Sequence, residues 1–570
     1  MGATYDEALD EVTAPGQLFE TQERELGGVT YRAFVHGPKT LKELFDGARG
    51  SDKTFLVYED EAWTFHDVMA EADALGHALV HELGVRPGDR VGIAMRNLPE
   101  WVVAFTAALS VGAISVSLNA WWTEEELDYA VGDAGCAVVI CDPERMARAH
   151  PACEHHGATI LVTRADLLVP VPPGVVRWKD VVVRGNPLPE VDVDPESDAT
   201  ILYTSGTTGF PKGAVSSHRA ICQSLMAFAC RASLQGIVRG PSAKPASGGS
   251  NPPCLILIVP LFHVTGCIPV MLTCFSLQLK LVMLHRWDPE KALELIERHK
   301  VTAFVGVPTQ SWDLLESPRF KDYDTSSLVS VGGGGAPAPP RLVERIEGSF
   351  SKGRPGIGYG MTETNAFGPG NSGDDYVDRP TSTGRARTPI LEVEVRDASL
   401  QAVPVGERGE IWMKGPNLFR GYWGKPEATA ETLVDGWLRS GDIGRVDEDG
   451  FLYVEDRAKD MVLRAGENVY SAEVEAAIYE HPAVHEAAVF GVPHERLGEE
   501  VACVVCLKAT ATLSADELRD HLGVHLAAFK IPTQIAFTHD PLPRNPAGKF
   551  LKRELRETYF SASSPSARST

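Results

Sequence analysis

The sequence predicts an α/β protein with a large N-terminal domain of parallel sheets covered by helices, followed by a small α+β domain. Three observations carry this. The chain has 570 residues, more than one hydrophobic core supports. Over the first four hundred or so residues, apolar β-branched runs alternate with helical patterns, as strand–helix–strand units require. After "GDIGRVDEDGFLYVEDR" the texture changes, and a compact unit of helices and strands follows.

The elements follow in chain order. "DRVGIAM" and "AVVICD" read as strands on either side of the helical "NLPEWVVAFTAALSVGA". The stretch Gly236 to Pro253, "GIVRGPSAKPASGGSNPP", is rich in Gly, Pro and Ser and reads as a mobile loop. The apolar run Cys254 to Leu284 is interrupted by Pro260, His263, Gly266 and Pro269, so it reads as strand, short helix and strand rather than a membrane span. "DPEKALELIERHK" is a helix with Asp288 as N-cap and Pro289 at its first position, and "VTAFVGVP" is the next strand. The final unit holds the helices "AEVEAAIYEH" and "SADELRDHLGVHL" and the strands "VHEAAVFGVP" and "EVACVVCLKA".

Composition excludes several functions. A net charge of −23 without a basic stripe argues against a nucleic-acid partner. The N-terminus "MGATYDEALDE" has no apolar signal region and the end "SPSARST" is no peroxisomal address, so a cytoplasmic protein without a transmembrane segment is expected. Ten cysteines show no disulfide-framework spacing and read as reduced core residues. Cys503 and Cys506 form a CxxC, but three positions apart on a strand they face opposite sides and cannot share a metal.

The loop "YTSGTTGFPKG", Tyr203 to Gly213, places hydroxyls, glycines and one lysine directly after the apolar "ATILY". Glycines let backbone N–H groups approach a ligand, and hydroxyls and an ammonium suit phosphate oxygens. Lys212 is followed by Gly213 rather than Ser or Thr, so this is not the Walker loop.

Four further segments follow in order: "GYGMTET" (Gly358 to Thr364), "SGD" (Ser440 to Asp442), "DRAKDMVLRAGENVYSAEVE" (Asp456 to Glu475) and "PLPRNPAGKFLKREL". With the loop they resemble the ordered signature of the adenylate-forming superfamily, which includes acyl-CoA synthetases, luciferases and adenylation domains of nonribosomal peptide synthetases. The resemblance spans nearly the whole chain. Each segment alone is weak, and five in order are specific. It implies an N-terminal domain at 1–455 containing a small β-barrel-like part, a hinge at 456–460, a mobile α+β domain at 461–560 and a disordered tail at 561–570. It also implies a ligase that uses ATP and Mg2+ to make acyl-AMP and pyrophosphate, with coenzyme A as acyl acceptor.

By the same resemblance Thr204, Ser205, Gly206, Thr207, Thr208, Gly209 and Lys212 would wrap the β- and γ-phosphates, where they can stabilise the charge gathering on the leaving pyrophosphate. Gly334, Gly335 and Ala336 would border the adenine, Tyr359 would stack on it, and Gly360, Met361 and Thr362 would lie alongside. Asp442 and Arg457 match the groups that hold the ribose hydroxyls. Glu363 matches a magnesium ligand, a hard oxygen for a hard cation. Lys549 matches the lysine that bridges the attacking carboxylate and the α-phosphate, Asp460 the pivot of domain rotation, and Gly466 the face that meets pantetheine. In another context each has a plainer role, as a capping glutamate, core tyrosine, surface ion pair or solvated lysine.

The expected substrate is a small-molecule carboxylic acid. His263 in "PLFHVTG" stands where amino-acid-activating members carry an aspartate for the substrate ammonium, so the acid should lack an α-amino group. His263, Val307 and Gly360 are the expected acyl-pocket residues. A glycine at 360, where acetyl-specific relatives have tryptophan, points to an acid larger than acetate, of medium or long chain or aromatic. Leu463 stands where firefly-type luciferases carry a second lysine, Lys459 lying earlier, so oxygenation has no support. The alternative reading is a stand-alone adenylating enzyme that loads a carrier protein; a homodimer is left open.

Overall fold

The computed structural model describes residues 4–165, 170–204, 211–239, 251–457, 460–464, 467–544 and 549–560; the expected site residues Ser205, Gly206, Thr207, Thr208, Gly209 and Gly466, Lys459 and the tail at 561–570 lie outside them. Six parallel strands make up most of one eight-stranded sheet: Arg90–Ala94, Ile114–Ser117, Cys136–Cys141, Thr159–Val162, Val176–Arg177 and Asp198–Thr204. Lys212–Ser217 and Gly421–Tyr422 extend it antiparallel. A second eight-stranded sheet runs in the order Gly370–Ser372, Arg354–Gly358, Ser330–Gly334, Ala303–Gly306, Cys254–Leu257, Lys280–Met283, Thr54–Tyr58 and Glu61–Thr64, parallel except at its two edges. Continuous apolar runs such as "CAVVIC" and "CLIL" suit strands covered on both faces.

The helix Pro99–Ser110 is buried along its whole length. A helix that is apolar all round needs partners on every side, and one core joins its Val102 and Phe105 to Val91 and Ile93 of the first sheet and Ile256 and Val282 of the second. Helix Pro289–His299 begins as expected, the Asp288 carboxylate accepting from the Lys291 N–H at 2.9 Å. The run from Cys254 contains the expected strand, helix and strand, but its helix opens as a π-helix at Gly266–Leu272 with Pro269 inside it. The expected loop at Gly236 starts later, because helix His218–Arg239 continues through its first residues; 240–250 lie outside the described residues. This helix is the one described element long and apolar enough to cross a membrane, and it packs against the N-terminal helix Tyr5–Thr13 and the strand Lys212–Ser217.

The barrel-like part is an open six-stranded antiparallel sheet built on Gly409–Lys414, Trp437–Val446 and Phe451–Arg457, curved by irregularities at Glu410/Trp412 and Ile443/Gly444. The strand Phe451–Arg457 runs two residues into the expected hinge at 456–460. The last sheet pairs Glu467–Val469, Val462–Arg464, Gly498–Leu507 and Val484–His494, with Gln534–Thr538 parallel to Gly498–Leu507. Helices Ser471–Tyr479 and Ala515–His525 cover one face and Lys552–Phe560 the other. Cys503 lies in the first of these cores and Cys506 in the second, the opposite-facing arrangement that their spacing predicts.

Candidate active site

A cleft of about 2560 Å³ opens where strands of both parallel sheets end, at Ser117, Thr204, Gly334 and Gly358, and is walled on other sides by the antiparallel sheet and the C-terminal unit. Carboxyl ends of parallel strands at a sheet junction are where α/β folds bind ligands. Every expected site residue among the described ones lines it, from Thr204 to Lys549.

The floor is built from glycine. Register aligns Val305, Gly332, Gly356 and Ser372 in one row, and Gly334, Gly358 and Gly370 in the next. Residues directly opposed across a sheet share a face, so these rows present almost no side chains to the cleft. A methyl group added at Gly358 would meet nothing within 4 Å, and one added at Gly356 only ordinary contacts at 3.6 Å. Helix His218–Arg239 stands over this floor, with Phe228, Arg231 and Gln235 on the cleft.

On the nucleotide side, Asp442 and Arg457 are cross-strand partners, which sets Arg457 Nε 3.5 Å from Asp442 Oδ1. The Tyr359 hydroxyl donates to Asp442 Oδ2 at 2.7 Å. Burial, reinforced by Asp442, pushes the Tyr359 hydroxyl well above its ordinary pKa, so it remains a donor. Glu363 lies on a single 3-10 turn, Thr362–Thr364, and is buried. Its Oε1 accepts from the Tyr422 hydroxyl at 2.6 Å, and the Lys212 ammonium stands 5.0 Å from the Tyr422 ring centre. Thr204 and Lys212 face each other as the last pair of a hairpin, and Thr204 Oγ1 donates to the Lys212 carbonyl at 3.3 Å.

His263 Nδ1 accepts from the Thr265 N–H at 3.3 Å, which leaves Nε2 to carry the proton of the neutral ring. Burial, helped by the positive charge of Lys549, pushes its pKa down to about 4, so it is uncharged at neutral pH. Lys549, from the C-terminal unit, thus lies within electrostatic range of a histidine of the large domain. At the junction between the two, Asp456 is 8% exposed and accepts from the Ser471 hydroxyl at 3.0 Å and from the Ser471 backbone N–H. Burial outweighs these bonds and the nearby Lys552 and raises its pKa to about 6. Lys552 donates to Ser471 Oγ at 3.0 Å and pairs with Glu475 at 2.8 Å. The Asp460 N–H bonds the Arg457 carbonyl at 3.0 Å.

Gly360 departs from its expected part. A methyl group there would lie 2.4 Å from the Ala366 carbonyl oxygen, so the position is closed by backbone and leaves no open space for an acyl chain. Among the floor glycines the open positions are Gly332, Gly356 and Gly358. Sequence reasoning also missed Arg231, although a lone cation inside the apolar run "LMAFACRASL" is visible as an anomaly, and the Asp456–Ser471–Lys552 cluster, whose members are scattered along the chain. Val307 caps helix Pro308–Glu316 and its N–H bonds Gln310 Oε1 at 3.0 Å, on the cleft wall as expected.

Two family matches cover the same architecture: AMP-binding enzyme over residues 46–423, and AMP-binding enzyme C-terminal domain over residues 473–549. The chain belongs to the AMP-binding enzymes and, among these adenylate-forming proteins, to the acid–thiol ligases that release AMP. It is 36% identical to the feruloyl-CoA synthase of Amycolatopsis sp over 89% of this chain and 96% of that protein. It is 32% identical to the long-chain-fatty-acid–CoA ligase of Bacillus subtilis strain 168, over 91% and 94%. The structure of ATP-bound MatB from Rhodopseudomonas palustris superimposes with a TM-score of 0.80 at 31% identity, covering 91% of this chain and 99% of that one.

Proposed function

We propose that the protein activates a carboxylic acid larger than acetate, aromatic or of medium to long chain and without an α-amino group, and transfers it to coenzyme A. In the first step a carboxylate oxygen bonds the α-phosphorus of ATP and pyrophosphate leaves; in the second a thiol sulfur bonds the acyl carbon and AMP leaves. The observation that carries this reading is that one cleft is lined by Lys549 and His263 together with Asp442, Arg457 and Glu363, which suits the first step. Lys549 would offset charge between carboxylate and α-phosphate, while neutral His263 would pack beside the acid with its Nε2–H as donor. Glu363 fits a magnesium ion: its carboxylate is buried, and no cationic side chain lies within ion-pair distance among the described residues. Such an ion would neutralise phosphate charge next to the loop that ends at Lys212. We place the hinge at 456–460, beside the Asp456 cluster. All ten cysteines are free and buried, which supports a reducing, cytoplasmic setting.

Names of the relatives support both aromatic and fatty acids as substrates. The test is AMP release with ATP, coenzyme A and a panel of acetate, hexanoate, decanoate, hexadecanoate, benzoate and hydroxycinnamates. AMP formation that requires coenzyme A and a larger acid is expected. Pyrophosphate exchange without coenzyme A consumption would replace this reading with loading of a carrier protein.

A further inference from the structure

The most deeply buried arginine among the described residues has carboxylate partners. Arg145, with a side chain 2% exposed, pairs with Asp142 at 3.1 Å and Glu144 at 2.8 Å. Arg231 is different. It stands on the inner wall of the cleft, its Cζ 4.5 Å from the Phe367 ring centre and 5.8 Å from that of Phe228, and its Nη2 donates to the Gly368 carbonyl. No carboxylate lies within ion-pair distance of it among the described residues. Burial lowers its pKa from the ordinary arginine value, and the groups acting against that shift, Tyr5 and Cys230, are both uncharged at neutral pH. Gly370 makes room for it, since a methyl group there would meet Nη1 at 2.4 Å. One helical turn on, Gln235 Nε2 donates to Ser372 Oγ at 2.8 Å on the same wall. The cleft is therefore lined by the apolar Phe228, Val305 and Val307 together with a guanidinium with spare donors and an amide–hydroxyl pair.

We propose that this is a binding subsite for an oxygen acceptor at the far end of the acyl substrate, a second carboxylate or a ketone carbonyl, held by Arg231 with Gln235 and Ser372. An uncompensated cation in an apolar wall is costly, and a guanidinium fork matches the two oxygens of a carboxylate. The subsite rests on the acid-activating reading above and narrows its substrate class.

The experiment compares kcat/KM for straight-chain acids of six to twelve carbons with the ω-carboxylic and ω-oxo acid of equal length, in wild type, Arg231→Met and Gln235→Leu. Wild type should prefer an acceptor-bearing acid at one length by about 10- to 100-fold, and Arg231→Met should remove that preference. A preference for the dicarboxylate identifies a carboxylate as the partner, and one for the oxo acid a carbonyl. ATP-dependent thermal stabilisation reports that the variant folds; should it not, wild-type preference and Gln235→Leu, expected to lose a smaller share of it, decide. Wild type favouring the plain acid at every length, or an unchanged ratio in a folded Arg231→Met, would overturn the subsite while leaving acid activation intact. No AMP formation with any acid would overturn both.

Discussion

Two glycines two residues apart should respond in opposite ways to an added side chain. Neither Gly358 nor Gly360 has a positive φ, so the backbone tolerates an L-residue at both. Gly358→Leu projects into open cleft, since nothing lies within 4 Å of its Cβ direction. The four added carbons occupy space equal to about four substrate methylenes, and at about 0.8 kcal/mol each the largest acids lose about 3 kcal/mol, or about 100-fold in kcat/KM. Acids short enough to stop before the floor should keep their rate. Gly360→Ala instead drives a methyl group to 2.4 Å from the Ala366 oxygen and 2.7 Å from its carbon, both backbone atoms that cannot rotate away. Overpacking of this kind costs about 1–3 kcal/mol. The assay is kcat/KM over an acid series graded in size, with thermal unfolding of each variant. If Gly358→Leu leaves the size preference unaltered, or Gly360→Ala unfolds at the wild-type temperature, the assignment of floor and closed position is wrong.

Lys549→Ala should lower acyl-adenylate formation by on the order of 10²-fold or more and leave transfer from preformed adenylate to coenzyme A largely intact; equal loss in both half reactions, followed by rapid quench, would refute its role. Asp456→Asn tests the junction by pH. The folded pKa of about 6 lies above the ordinary 3.8, so the fold holds this proton more tightly than the unfolded chain does. Wild type should lose stability as pH rises from about 4 to about 6 by at most about 3 kcal/mol, and the variant should lack that loss. Urea unfolding at stepped pH measures it, and parallel curves for the two proteins would exclude a desolvated Asp456. His263, with a pKa of about 4, predicts that the adenylation rate shows no titration of this ring between pH 6 and 8; a step there absent from His263→Gln would show a charged histidine.

The alternation of β-branched runs and helical periods determined the parallel sheets, because strands covered on both faces must be apolar throughout and their crossovers amphipathic or, like Pro99–Ser110, apolar all round. Local chemistry also determined the cap at Asp288, since its partner is three residues away. The opposed faces of Cys503 and Cys506 follow from the period of a strand alone. Ordered motifs marked the residues that line the cleft, because each lies in a short segment whose residue types are legible without neighbours. Tertiary structure alone decided which glycine is open. Gly358 and Gly360 look alike in "GYGMTET", and their difference lies in whether cavity or the returning backbone at Ala366 stands opposite. It likewise decided that Arg231 meets no carboxylate among the described residues and that Asp456, Ser471 and Lys552 meet at all, since long-range pairing leaves no periodic trace in the chain.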